Sequence, residues 1–185
     1  PYTLSHYLAN TKLAPAPVEG AEFRRCEAEV GERLNRLLSI KGKCSAGSFH
    51  RQLGKLMWDQ CGMARGEQSL KKAINEIPGI REEFWHNVSV TGGQDELNQE
   101  LEYAGRVADF LEFAELLCHD ALDRDESCGA HFRIEHQTAD GEAERHDDKY
   151  CYVSAWEHAG AGKAPLLHKE TLTFEEVHPS VRSYK

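Results

Sequence analysis

No apolar run in this 185-residue chain approaches the ~20 residues a helix needs to cross a bilayer, so nothing in it reads as a membrane-spanning helix. Basic charge is also scarce. Lys and Arg number 22 against 31 Asp and Glu, a formal net charge of −9, which argues against a nucleic-acid partner or an anionic membrane surface. The glycine motifs that cradle nucleotides are missing: neither G-x-G-x-x-G nor a phosphate loop ending in GK[ST] occurs, and the nucleophile elbow G-x-S-x-G is absent too. The six cysteines (26, 44, 61, 118, 128 and 151) include no C-x-x-C pair, which predicts reduced thiols in a cytosolic setting rather than a disulfide framework. The chain opens at Pro1 without Met and without a charged-then-apolar leader, as expected of a piece cut from a longer polypeptide. What remains, 40% apolar and 29% charged residues, predicts a soluble, mostly helical domain with enough length to bury a core.

Periodicity divides the chain into a connecting segment (1–20), a helical bundle (21–125) and a C-terminal extension (126–185). The prolines of Leu13-Ala14-Pro15-Ala16-Pro17 mark a linker. Phe23, Cys26, Val30, Leu34 and Leu37 recur at three- and four-residue steps over 21–38, one face of an amphipathic helix. Gly42 to Gly47, including Cys44-Ser45-Ala46, reads as a helix-entry turn, with Ser48 as the N-cap of a helix through Cys61. A third helix runs from Glu67 to Ile77 and is predicted to stop at Pro78, with Ile80, Phe84 and Trp85 in a further turn or two. Gln94 to Arg124 is the longest helical signal. Of its residues 107–122, 11 are apolar, so this half should pack on two sides, the second being another domain or chain. Beyond Asp125 the alternation shifts to strands: Phe132–His136 briefly, then Tyr150–His158 paired through Gly160-Ala161-Gly162 with Leu166–Val177.

Two clusters carry candidate chemistry. Cys118-His119 and Cys128-x-x-His131 place two Cys and two His within 14 residues, the ligand count of a tetrahedral zinc site. Cys118 lies on the core stripe, however, and His119 points roughly 100° away, so both cannot easily face one ion. Cys128 beside His131 and Arg133 is a candidate oxidation-sensitive thiol, though a buried or merely tolerated cysteine is the preferred reading. Glu142, Glu144, Asp147 and Asp148 flank Arg145 and His146. Paired carboxylates of that kind can do acid–base work, but with no companion nucleophile the run reads as a solvated loop with local ion pairs. No residue is therefore assigned a catalytic, cofactor-binding or metal-ligating role.

Glu126-Ser127-Cys128-Gly129-Ala130-His131-Phe132-Arg133, followed by Arg145-His146-Asp147-Asp148, resembles the E-S-R-G-A-H…R-D-D signature of the flavoprotein subunits of succinate dehydrogenase and fumarate reductase. Phe49–Trp58 with Cys61–Arg65, Glu96-Leu97-Asn98 and Pro179–Lys185 resemble further segments of that family in the same order, and Pro1-Tyr2-Thr3 with Tyr7-Leu8-Ala9 resembles the stretch after its last flavin-contacting segment. The resemblance implies the family's C-terminal helical domain: mainly α, a three-helix spectrin-like bundle with a small extension containing short β-strands. It implies a longer subunit with covalently bound FAD, none of it held by this fragment, and partners in an upstream FAD-binding domain, an iron–sulfur subunit and a membrane anchor on the cytoplasmic side of a bacterial inner membrane. The pattern resembles the menaquinone-linked branch. Cys128 departs from the signature by replacing its Arg with a thiol. The C-terminal domain of L-aspartate oxidase and a free-standing helical interaction module are the alternatives.

Overall fold

The computed structural model describes residues 2–15, 18–160 and 163–180. The chain divides into two compact units, residues 1–36 and 37–185. In the first, helix α1 (Tyr2–Asn10) exposes every side chain, and the Asn10 amide donates to the His6 carbonyl at 2.8 Å. Helix α2 (Ala21–Ser39) forms where the periodicity predicts it. Its apolar stripe nevertheless faces solvent at Phe23, Cys26 and Val30, and only Leu37, where the second unit begins, is buried.

The second unit is mainly α. Helices α3 (Ala46–Cys61), α4 (Glu67–Asn87) and α5 (Gln99–Asp123) pack on one another as a three-helix bundle. Leu53, Leu70, Ala73, Ile77, Val107 and Leu111 fill its interior. Phe49 meets Phe84 edge-to-face, with centroids 5.4 Å apart and an interplanar angle of 79°. Alanines 104, 108, 114 and 121 on the inner face of α5 leave room for the neighbouring helices to approach closely.

The ends of these helices depart from the sequence reading in instructive ways. The α3 cap is Ser45 rather than Ser48: Ser45 Oγ accepts from the Ser48 backbone N–H at 3.2 Å, and the Ser48 hydroxyl donates back to the Ser45 carbonyl at 2.6 Å. Helix α4 does not stop at Pro78 but continues to Asn87. Ile77, Ile80 and Phe84 lie on one buried face, and burying Ile80 and Phe84 together contributes more than the ~3 kcal/mol an interior proline costs. Helix α5 starts five residues later than expected. Asn98 caps it by accepting from the Leu101 N–H at 3.0 Å, while its amide donates to the Thr91 and Gly93 carbonyls, and Leu97, inside the helix the sequence predicts, is 94% exposed.

Two small sheets complete the unit. Strand β1 (Cys44–Ser45) pairs in parallel with β2 (Val88–Ser89), bringing the entry of α3 against the exit of α4. A side chain at Gly42 would fall on the Asn87 carbonyl, so the close approach of these two backbones requires glycine there. After a one-turn helix α6 (Asp147–Tyr150), strands β3 (Tyr152–Glu157) and β4 (Leu166–Thr171) pair antiparallel, Tyr152 opposite Thr171 and Glu157 opposite Leu166. Tyr152 and Trp156 share one face of β3 and reach α5: the Trp156 indole donates to Asp120 at 2.7 Å, and Lys169 pairs with Asp123 at 3.3 Å. Parts of the predicted linker (16–17), hairpin turn (161–162) and terminal motif (181–185) lie outside the described residues.

Candidate functional site

The last carbonyls of α5 have no intrahelical donor. Arg133, ten residues beyond the helix and 2% exposed, supplies one. Its Nη1 donates to the Ala121 carbonyl at 3.2 Å, its Nη2 pairs with Asp125 at 3.1 Å, and its Nε reaches Glu135 at 3.3 Å. A cation is thereby seated on the negative end of a 25-residue helix. The chain returns to that point through a tight turn in which Cys128 and His131 exchange both backbone hydrogen bonds, at 2.8 and 3.0 Å, around Gly129 with φ +59°. Ser127 locks the turn: its hydroxyl accepts from the Arg133 N–H at 2.8 Å and donates to the Arg133 carbonyl at 3.2 Å.

The same segment is tied to the α3–α4 connection. Arg65 donates its N–H to the Phe132 carbonyl at 2.9 Å and accepts from the Ile134 N–H at 2.8 Å. The Glu135 carboxylate accepts the first N–H of α4, that of Glu67, at 2.6 Å. Partial burial opposes ionisation of Glu135, but this bond and the Arg133 charge win and hold its carboxyl below the usual range. His131 bridges the two sides, Nε2 donating to the Arg124 carbonyl at 2.7 Å and Nδ1 accepting from the Arg65 guanidinium at 3.0 Å. Burial, joined by the charges of three arginines, pushes the His131 imidazolium below its ordinary pKa. Glu126, 1% exposed, accepts from Arg124 at 2.8 Å and from the His146 N–H at 2.7 Å. Among the described residues no buried side-chain nitrogen or oxygen lacks a partner.

Residues 136–144 form a small second loop. Asp140-Gly141 makes the turn, with Gly141 at φ +81°, and Thr138 and Glu144 return N–H bonds across it to Glu142 and His136. This brings His136, Glu144 and His146 together, with one donor atom of each within 4.8 Å of the others. His136 Nε2 meets Asp125 Oδ1 at 2.8 Å, and His136 Nδ1 lies 3.2 Å from His146 Nε2. The bond from His136 keeps the Asp125 carboxyl below the ordinary carboxylate range. Arg145 grips both oxygens of Asp147, at 2.6 and 2.7 Å, and donates to the Ser180 carbonyl.

The candidate residues of the sequence are thus redistributed. Cys118 is fully buried in the bundle, donating to Met57 Sδ at 3.8 Å, and does not join Cys128 and His131 in a ligand group among the described residues. The neighbouring Cys118 thiol, against the effect of burial and with help from the Arg65 charge, lowers the Cys61 pKa to about 7. His131 and Arg133, the neighbours offered as activators of Cys128, bond instead to the Arg124 and Ala121 carbonyls. Asp147 is paired with Arg145 rather than with a second carboxylate, so no acid–base dyad forms there. Sequence reasoning missed the buried ion pairs of Arg133 and Glu126. An acidic and a basic residue closing the two ends of the eight-residue run Glu126–Arg133 were the available signal.

The family described as fumarate reductase flavoprotein C-term matches residues 50–184. Among curated relatives, the fumarate reductase flavoprotein subunit of a Serratia species is 26% identical, aligning 93% of this chain with 28% of its own length. The Bacillus subtilis succinate dehydrogenase flavoprotein subunit is 23% identical over 83% of the chain and 25% of the relative. An uncharacterized FAD-dependent oxidoreductase of Methanocaldococcus jannaschii is 34% identical over 66% of the chain and 22% of the relative. Of solved structures, an Escherichia coli quinol fumarate reductase matches with a TM-score of 0.75 at 23% identity, covering 96% of this chain and 29% of its own, and a Mycobacterium smegmatis Sdh1 with 0.65 at 19%, covering 90% and 26%. These structural matches show the fold. The chain spans about a quarter of the length of the curated relatives it matches.

Proposed function

Because the chain belongs to the fumarate reductase flavoprotein C-terminal family, matched from residue 50 to residue 184, we propose that it is the buttress of a longer flavoprotein subunit that interconverts succinate and fumarate. The family match over most of the chain is the observation that carries the reading. In the parent subunit, bound FAD supplies the hydride chemistry, and electrons pass to an iron–sulfur subunit and then to quinone through a membrane anchor, on the cytoplasmic side of a bacterial inner membrane. No described helix of this chain is long and apolar enough to cross a membrane.

The residues present do not fit a dinucleotide. The groove between α3 and α4 is lined by Lys55, Asp59, Lys72 and Glu76, and the cleft beside Arg124 and Arg145 by Tyr150, Leu172 and Phe174. Neither places a glycine-rich turn against a helix N-terminus, the arrangement that cradles a pyrophosphate. On this reading, the catalytic and cofactor-binding residues lie in other parts of the parent subunit. Residues 1–20 act as the connection to the flavin domain, 21–125 as the supporting helices and 126–185 as the extension that locks them. Large apolar side chains left exposed, Trp58 at 78% and Phe113 at 62%, together with Met63 and Phe110, support a covering neighbour.

Succinate-dependent dye reduction by the full-length subunit, with and without residues 1–185, tests this assignment. Loss of stable holo-subunit on truncation, with no turnover or flavin absorbance in the 1–185 segment alone, is the expected result. Succinate oxidation by the segment alone would overturn it.

A further inference from the structure

We propose that His136, Glu144 and His146 form a binding site for one divalent ion of the zinc class, with Asp125 as its positioning residue. The local backbone builds the triad. Glu144 donates its N–H to the His136 carbonyl at 3.2 Å, which makes the two residues neighbours across the 136–144 loop. Glu144 and His146 stand two apart in sequence, the spacing that returns side chains to one face of an extended chain. The main chain is anchored on both flanks. Ser127 donates to the Glu144 carbonyl at 2.9 Å, and the His146 N–H donates to the buried Glu126 carboxylate at 2.7 Å.

Asp125 decides which nitrogen of His136 is free. Its carboxylate accepts from Nε2, so Nδ1 carries the lone pair, and this is the nitrogen turned toward His146 Nε2. A carboxylate behind a ligating imidazole is the arrangement that fixes tautomer and ring direction at metal sites. The two inward nitrogens are 3.2 Å apart, and two nitrogens each about 2.0–2.1 Å from a tetrahedral ion lie about 3.3 Å from one another. The rings meet edge-to-face at 87°, so they do not stack on one another. Two imidazoles and one carboxylate suit Zn²⁺ with water in the fourth position, and suit Mg²⁺ or Ca²⁺ poorly because those ions demand oxygen ligands. None of these residues belongs to the Cys118/Cys128/His131 set that the sequence offered for zinc.

Isothermal titration of Zn²⁺ into the metal-stripped full-length subunit, in buffer at a fixed pH because metal binding releases ligand protons, tests the site. Wild type should bind one equivalent that His136→Ala and His146→Ala each lose, while Cys128→Ser keeps it. Asp125→Asn should retain the stoichiometry and weaken affinity about 10–100-fold. Cu²⁺ loaded in place of Zn²⁺ gives a second readout, an EPR spectrum with coupling to two nitrogens in wild type and to one in either single histidine variant. If Zn²⁺ binding is the same in wild type and both histidine variants, or absent from all three, the pair only shares a proton and the proposal fails.

Discussion

The bundle and the loops that close it are built by opposite means. Inside α3–α5, Leu70, Ile77, Phe84, Val107 and Leu111 are sealed from water and touch other apolar groups. In the loop after α5, the largest buried side chains are a guanidinium and a carboxylate, Arg133 and Glu126, each surrounded by polar partners. Dispersion and hydrophobic burial are indifferent to direction, so the bundle needs only shape and periodicity. A buried charge costs several kcal/mol unless every lone pair and proton finds its partner, so the loop needs one geometry and no other. The bundle supplies stability, while the loop supplies position.

This contrast can be broken at its strong end first. Phe84→Ala empties the centre of the bundle and should lower unfolding free energy by ~3–5 kcal/mol in denaturant melts followed by circular dichroism; a loss below 1 kcal/mol would mean the core collapses to fill the space. Arg133→Met keeps the bulk but orphans the Ala121 carbonyl and leaves Asp125 and Glu135 to water, a loss of ~1.5–3 kcal/mol. Should Arg133→Met cost as much as Phe84→Ala, the loop is as central to stability as the core. Glu135→Ala removes the acceptor at the start of α4 and should cost ~1 kcal/mol, visible as faster amide exchange of Glu67 and its neighbours.

The smallest effect is a pH dependence. His131 has a folded pKa below its unfolded value of about 6.5, so the unfolded chain binds more protons between the two. Its contribution is full above the unfolded value and is lost as pH falls through the folded one. The melting midpoint of wild type should fall on acidification from neutrality, before the carboxylates Asp125 and Glu135 protonate, and His131→Gln should flatten that part of the curve. An identical slope in the variant would place the titrating group elsewhere.

Much of the bundle was legible because its signal is repetitive. Leu101, Ala104, Ala108, Leu111, Ala114 and Cys118 step along α5 at helical spacing, and all six are buried. Pro78 misled because a local rule was overridden by the face that Ile80 and Phe84 bury. The α2 periodicity places an amphipathic helix where one forms, but says nothing of what covers its stripe. In the loop region, residue types alone flagged Glu144, Arg145, His146 and Asp147 as a polar run, but His136 was read only as part of a short strand. The turn at Asp140-Gly141, not any spacing rule, makes it their neighbour.

The order of residues alone placed α2, the three bundle helices, the hairpin strands and the family, because apolar periodicity and a contiguous signature are properties of a line. Where Arg133 and Glu126 find their partners, which nitrogen of His136 is free, and whether Pro78 ends a helix were decided only by folding. Those outcomes depend on which groups from distant parts of the chain arrive at the same buried point, and on whether that point holds water.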